Sequence, residues 1–164
     1  GDEVTTLDDG PQKIRWIGRV RVAGDTENTP IRIKAGALGN VRDLIVSPNH
    51  RMLVRGYEAE LLFGEREVLV AAKHLINGRT IVAAPCASVE YLHFACDRHQ
   101  IVFAEGCPAE TLYPGQIALK SLDEADRYDI MQLFPEVARM SYQGSMARYT
   151  LKGFEARALV SQVA

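Results

Sequence analysis

Short runs in which apolar and polar residues alternate, separated by glycine, proline and asparagine, fill most of residues 4–110. VTTL (4–7) runs into the turn DDGP (8–11), and KIRWIGRVRV (13–22) sets apolar groups at Ile14, Trp16, Val20 and Val22. Alternation before Gly18 and again after it predicts one strand with a kink or bulge at the glycine. AGDTENTP (23–30) is a loop by composition, IRIKAGAL (31–38) alternates once more, and LGN (38–40) turns the chain. Leu44-Ile45-Val46 and Met52-Leu53-Val54 predict two strands around the polar kink Ser47-Pro48-Asn49-His50, whose proline cannot donate to a sheet ladder. EAELLFGEREVLVAAKHLI (58–76) reads as a short strand, a turn at Gly64 and an apolar strand through Val68-Leu69-Val70, closed by the tight turn ING (76–78). TIVAAP (80–85), SVEYLHFAC (88–96) and HQIVFAEG (99–106) complete the series. In SVEYLHFAC a period of two puts Val89, Tyr91, His93 and Ala95 on one face and Leu92, Phe94 and Cys96 on the other. Both faces are apolar, which predicts a strand covered on both sides.

From about residue 116 the texture changes. SLDEADRYDIMQLFPEV (121–137) predicts a helix, with Ser121 as N-cap, Glu124 completing a capping box, and an apolar stripe of Leu122, Ala125, Ile130, Leu133 and Phe134 that Pro135 ends. A polar loop, SYQGSM (141–146), follows, and LKGFEARALVSQV (151–163) fits a helix or a strand equally. The pattern therefore predicts a β-dominated domain over 1–115, a sandwich or barrel-like arrangement, with a small helical C-terminal appendage over 116–164 packed on it. No internal repeat or low-complexity tract interrupts it.

Composition narrows the partners. At 164 residues the chain is long enough for one well-buried core. Its 19 Lys+Arg against 21 Asp+Glu leave a formal net charge of −2. Such a balance gives no electrostatic reason to expect nucleic acid or an anionic membrane. No apolar stretch approaches a membrane span, and the acidic start GDEVTTLDDG does not resemble a signal peptide. The three cysteines, Cys86, Cys96 and Cys107, are spaced ten and eleven residues apart. They form neither a disulfide framework nor a CxxC knuckle, and read as buried or incidental thiols or as one disulfide plus a free thiol.

Two groups of residues carry possible chemistry. His93, Asp97 and His99 lie within seven residues of one another. Such a cluster serves as a metal site, as an acid–base pair, or as a satisfied structural set, and the spacing matches no tight metal motif. Ser47 and His50 flank the strand kink, where both side chains can face one cleft, and histidine is the side chain best suited to protonate an amide near neutral pH. The alternative for this pair is a turn in which Ser47 bonds local backbone and His50 faces solvent.

Taken together, several stretches resemble the Hint (Hedgehog/intein) superfamily in its bacterial form. GDEVTTLDDG-PQKIRWIGR resembles the segment in which a GD-x-V-x-T-x-DG turn precedes a strand bearing WIG. IRIKAGALGN-VRDLIVSPNHRMLV resembles the block that carries Thr-x-x-His, here with serine for threonine. VLVAAKHLINGRTI and VEYLHFACDRHQIVFAEGCPAETLYPG resemble the blocks that follow, and ALKSLDEADRYDIMQLFPEV is similar to the appendage of these proteins.

The resemblance implies an all-β, pseudo-two-fold horseshoe and self-processing, without cofactor or metal, at the peptide bond before a cysteine. That thiol attacks the preceding carbonyl and converts an amide into a thioester. The histidine of Thr-x-x-His protonates the departing nitrogen while the threonine orients the peptide, which assigns those roles to His50 and Ser47. Asp97, His93 and His99 fall in the later processing block, where an aspartate or histidine assists. In the family the cysteine belongs to a strand upstream of GDEV, so the reacting partner is the domain's own upstream polypeptide and this chain alone is expected to be inactive. The end also lacks the His-Asn followed by Cys, Ser or Thr that splicing requires, which favours cleavage or transfer over splicing. Serine for threonine and the absent cysteine equally suit a degenerate Hint-like module with a structural or binding role in a larger, secreted or surface protein. A metal-binding β-domain using His93, Asp97, His99 and a cysteine is the third reading.

Overall fold

The computed structural model describes residues 1–25, 27–113, 124–133 and 146–163. Twelve strands among them form three sheets: β1 (Glu3–Thr6), β2 (Gly10–Lys13), β3 (Trp16–Gly24), β4 (Ile31–Ile33), β5 (Leu44–Val46), β6 (Arg51–Arg55), β7 (Glu67–Ala71), β8 (Ile81–Ala83), β9 (Cys86–Ala95), β10 (Ile101–Ala104), β11 (Cys107–Glu110) and β12 (Tyr149–Thr150). The largest sheet runs β12-β7-β6-β11-β10-β1-β2, beside a β5-β4-β8 sheet and a long two-stranded ribbon, β3-β9. The helices are α1 (Tyr57–Phe63), α2 (Glu124–Leu133) and α3 (Gly153–Val163), with a 3-10 turn at Ala72–His74. The all-β expectation with helices near the C-terminus holds.

The core lies between the sheets. Ile31, Ile33 and Val46 from the smaller sheet meet Met52, Val68, Val70, Cys107 and Ala109 from the larger one. Leu151 and the α3 residues Ala156 and Leu159 join the same cluster. The segment between β4 and β5 is knotted by buried Asn40. Its side-chain amide donates to the carbonyls of Ile33, Lys34 and Arg42 at 3.2, 3.0 and 2.7 Å, and its side-chain oxygen accepts from the Leu38 N–H at 3.1 Å. That arrangement replaces the ladder that IRIKAGAL promises, so the strand stops at Ile33.

Tertiary context overrides the alternation elsewhere too. KIRWIGRVRV splits between β2 and β3, and β3 pairs with β9 in unbroken register through Gly18↔His93; the irregularity falls between Val22 and Gly24 instead. Gly18 makes room rather than bending the strand, because a Cβ there would overlap the indole of Trp16, with the Asp126 carboxylate on α2 only 2.9 Å away. Trp16 packs with Ala95 and with Ile130 of α2, so the glycine lets the tryptophan lie over its own strand beneath that helix. The expectation that β9 is covered on both faces fails: Leu92 is 54% exposed while Ala95 is buried. Among the described residues the Leu92 face of this two-stranded ribbon stays open.

EAELLF, expected as a strand, forms α1. Gly64 closes it in the left-handed conformation at φ 72°, its N–H bonding to the Glu60 carbonyl, and buried Ala59 faces inward. Seven residues show too little periodicity to betray a helix. The helix expected over 121–137 is seen as α2; Ser121, Leu122, Phe134, Pro135 and 141–145 lie outside the described residues. LKGFEARALVSQV resolves as the helix α3.

Replacing Gly18 with alanine is expected to destabilise the fold by about 1–3 kcal/mol, the usual cost of overpacking. Urea unfolding followed by the emission of the sole tryptophan, Trp16, measures it, and an unchanged midpoint would mean that the indole repacks freely.

Candidate functional site

The kink that separates LIV from MLV is where the chain leaves one sheet for another. β5 belongs to the three-stranded sheet and β6 to the seven-stranded one, so Ser47–His50 bridges them. The turn is fixed through its backbone. The His50 N–H donates to the Ser47 carbonyl at 3.1 Å, the Lys73 N–H to the Pro48 carbonyl at 3.0 Å, and the Ala72 N–H to the His50 carbonyl at 2.9 Å. Lys73 Nζ adds a bond to Asn49 Oδ1 at 2.8 Å. The 3-10 turn after β7 thereby staples the kink in place, with Pro48 buried beneath it. His50 and Ser47 are both half-buried, and among the described residues no partner engages the Ser47 hydroxyl.

Beyond His50 the chain enters β6, whose neighbour β11 pairs Ala109 with Met52. Antiparallel pairing therefore brings Glu110 opposite Arg51. Glu110 is only 8% exposed and His99 only 7%. Glu110 Oε1 accepts from the Arg51 backbone N–H at 3.1 Å and from Arg51 Nη1 at 3.2 Å. Its Oε2 lies 3.0 Å from Arg51 Nη1 and 3.1 Å from His99 Nε2. The far side of the His99 ring, Nδ1, accepts the Ala147 N–H at 3.1 Å. An accepting Nδ1 carries no proton, so the ring proton sits on Nε2 and points at Glu110.

The electrostatics follow from this arrangement. Burial pushes the Glu110 carboxyl up, but the hydrogen bond from His99 and the charges around it, Arg51 foremost, outweigh burial and hold it below its ordinary value. Glu110 is therefore an anion. Burial depresses His50, with His93 and Arg51 adding to the depression and Glu110 opposing it. His93, half-buried opposite Gly18, is likewise depressed by burial against the pull of Glu110. Both imidazoles rest neutral at pH 7, within the field of one buried carboxylate.

His99 thus bonds Glu110 directly, His50 and His93 feel its charge, and Asp97 lies elsewhere. Asp97 is exposed in the turn after β9, where Arg15 grips it with two 2.9 Å bonds from Nε and Nη2. Asp97 is not among the charges that move His50, His93 or Glu110. Among the described residues no three His, Cys, Asp or Glu side chains are arranged to hold a metal ion. All three thiols are free. Burial raises Cys96 and Cys107, the latter to about 11, while Cys86 lies exposed at the start of β9. Sequence reasoning missed Glu110 and Arg51. Their only signal is a charged residue at each end of an apolar run, and it gains meaning only once β6 and β11 are known to be neighbours.

A family model described as the Hint domain matches residues 1–116. This chain belongs to the Hint domain family. No curated protein and no solved structure matches it. The family-matched part of this Hint domain contains His50, His93, His99 and Glu110, whereas Ala147, which bonds to His99, lies beyond it.

The depressed groups fix the sign of the pH dependence. His50, His93 and Glu110 all bind protons less readily folded than unfolded. The unfolded chain therefore takes up more protons as pH falls, and stability present at neutral pH is lost on acidification. The histidine contribution should begin to disappear below about pH 6.5 and that of Glu110 below about pH 4.3. Thermal melts between pH 7.5 and 5 are expected to show Tm falling with pH, with a shallower slope in His50→Gln and His93→Gln. A wild-type Tm that stays level over this range would mean that neither histidine is held neutral.

Proposed function

We propose that this Hint domain processes the polypeptide to which it is joined, by an N-to-S acyl shift at a cysteine upstream of Gly1 followed by cleavage or ligation. The observation that carries the reading is the place of His50: half-buried at the end of a turn that Ser47 begins, its backbone N–H bonded to the Ser47 carbonyl, in the field of buried Glu110 that holds the next peptide N–H. A neutral imidazole can take the proton of the attacking thiol as the new C–S bond forms. The resulting imidazolium, stabilised by Glu110, then returns the proton to the departing nitrogen as the C–N bond breaks. The products are a thioester and a free α-amine, with protons balanced. The depressed affinity of His50 for a proton suits the second half of this cycle, since a stronger acid protonates a departing amine more readily. The Ser47 hydroxyl orients the scissile peptide in the place of the family's threonine, and without the β-methyl it is less restricted at χ1.

The resident thiols favour an upstream nucleophile. Cys96 and Cys107 are buried and raised, and Cys86 belongs to the exposed end of the β3-β9 ribbon. A buried thiol is a poor source of thiolate. Of the residues suited to assist, His93 shares the field of Glu110 with His50, His99 holds that carboxylate, and Asp97 would first have to leave Arg15.

Joining the chain to an upstream segment that supplies the cysteine should give dithiothreitol-accelerated cleavage before that cysteine, read as two products by mass spectrometry. His50→Ala is expected to slow thioester formation by about 10²–10⁴-fold, the range of general acid–base catalysis. Ser47→Ala should cost less, and Ser47→Thr should match or exceed the parent. Cleavage of His50→Ala at the parent rate would remove His50 from the proton-transfer role. A folded parent that never cleaves would instead favour a structural or binding module.

A further inference from the structure

The contact between Ala147 and His99 ties the site to a part of the chain outside the family-matched residues 1–116. Arg148 holds that part in place. Its Nη1 and Nη2 grip Asp8, in the β1–β2 turn, at 3.0 and 2.7 Å. Its Nε donates to Glu67 at the start of β7 at 2.6 Å, and Nη1 also donates to the Ala147 carbonyl at 2.7 Å. The next two residues form β12, parallel to β7 with Tyr149↔Val68 and Thr150↔Leu69, and the Leu151 N–H continues the ladder to the Leu69 carbonyl at 2.9 Å. Ala147 itself packs against buried Leu53, Leu69 and Ile101. Five residues thus run from the ring of His99 along the edge of the sheet, and Arg148 ties them to the carboxylates of Asp8 and Glu67.

We propose that residues 147–151 are a strap that completes the Hint site in cis. The Ala147 N–H fixes the proton of His99 on Nε2, where it holds Glu110 against the His50–Arg51 peptide, and Arg148 is the positioning residue that latches the strap. If Nδ1 lost its donor, the proton would be free to move there and a bare Nε2 lone pair would face the Glu110 carboxylate. The carboxylate would then lose a hydrogen bond on the Oε2 side, and the hold on the peptide that follows His50 would slacken. Misplacement of a catalytic group by about 1 Å can cost roughly 10²-fold in rate. This role rests on the self-processing reading, but the state of the His99 ring does not.

The test has two independent readouts. Imidazole nitrogen–carbon-proton NMR spectra of the full chain should show His99 as the Nε2–H tautomer. Ala147→Pro, which removes the donor N–H and also fixes φ, and Arg148→Ala, which releases the latch, should move His99 to a mixed or Nδ1–H pattern. In the fusion bearing an upstream cysteine, both variants should cleave about 10-fold or more slowly, with partial recovery in Arg148→Lys. Should Arg148→Ala fail to fold, Ala147→Pro and Arg148→Lys still decide the matter. An unchanged His99 pattern in folded variants, or parent-rate cleavage once the tautomer has changed, overturns the strap. Absence of cleavage in every fusion, the parent included, overturns the self-processing reading, and the tautomer pattern then decides alone whether the strap sets the ring.

Discussion

Glu110 is a carboxylate withdrawn from water at the seam between β6 and β11, and such a group persists only when its charge is answered on every side. Arg51 supplies a backbone N–H and a guanidinium, and His99 supplies an Nε2–H. Truncating one partner of a buried pair typically costs about 3–5 kcal/mol, because the other charge is left without its answer. The peptide following His50 and the Nε2–H of His99 both meet at this carboxylate. Its neighbours are consequently specified more tightly than burial of apolar surface alone could achieve.

The kink gains its meaning from the same seam. Ser47–His50 connects two sheets, and carbonyls left free by the missing ladder are taken up by the Ala72 and Lys73 N–H groups. Side chains at this point project from a backbone held at both ends, which limits the rotamers through which His50 can search. The kink is a turn closed through the Ser47 carbonyl rather than the Ser47 hydroxyl, and it leaves the His50 ring half-buried rather than facing solvent.

Much of the fold was legible because turns and alternation are local. Gly10, Gly39, Gly64 and Gly78 all adopt the positive φ that only glycine takes readily, and each stands where a break was expected. Ser47 and His50 drew notice by standing at a strand kink and by the resemblance to Thr-x-x-His, and His93 and His99 by their proximity in the chain. What could not be read was non-local. Gly18 looks like a strand breaker until Trp16 is seen lying across it. Glu110 and Arg51 are ordinary charged residues until two strands 59 positions apart in the chain become neighbours. Leu69 gives no sign that Leu151 will join its ladder, and Asp97 sits between two histidines in sequence while Arg15 holds it apart in space.

A carboxylate beside a histidine ordinarily makes a cation of it, yet His50 rests neutral. The reason lies in how Glu110 is already engaged: three of its interactions are with Arg51 and one is with the Nε2–H of His99, so what reaches His50 is the residual field of a largely compensated anion. That residue of field is too weak to overcome the burial of His50, to which His93 and Arg51 add their own opposition. That interaction is felt only by the protonated ring, so it offsets part of the cost of charging His50 without overturning it. The arrangement leaves His50 neutral at rest and offers an anion nearby when it is charged, which is the balance the proposed proton transfer requires. A carboxylate bonded directly to His50 would hold the proton too firmly to return it.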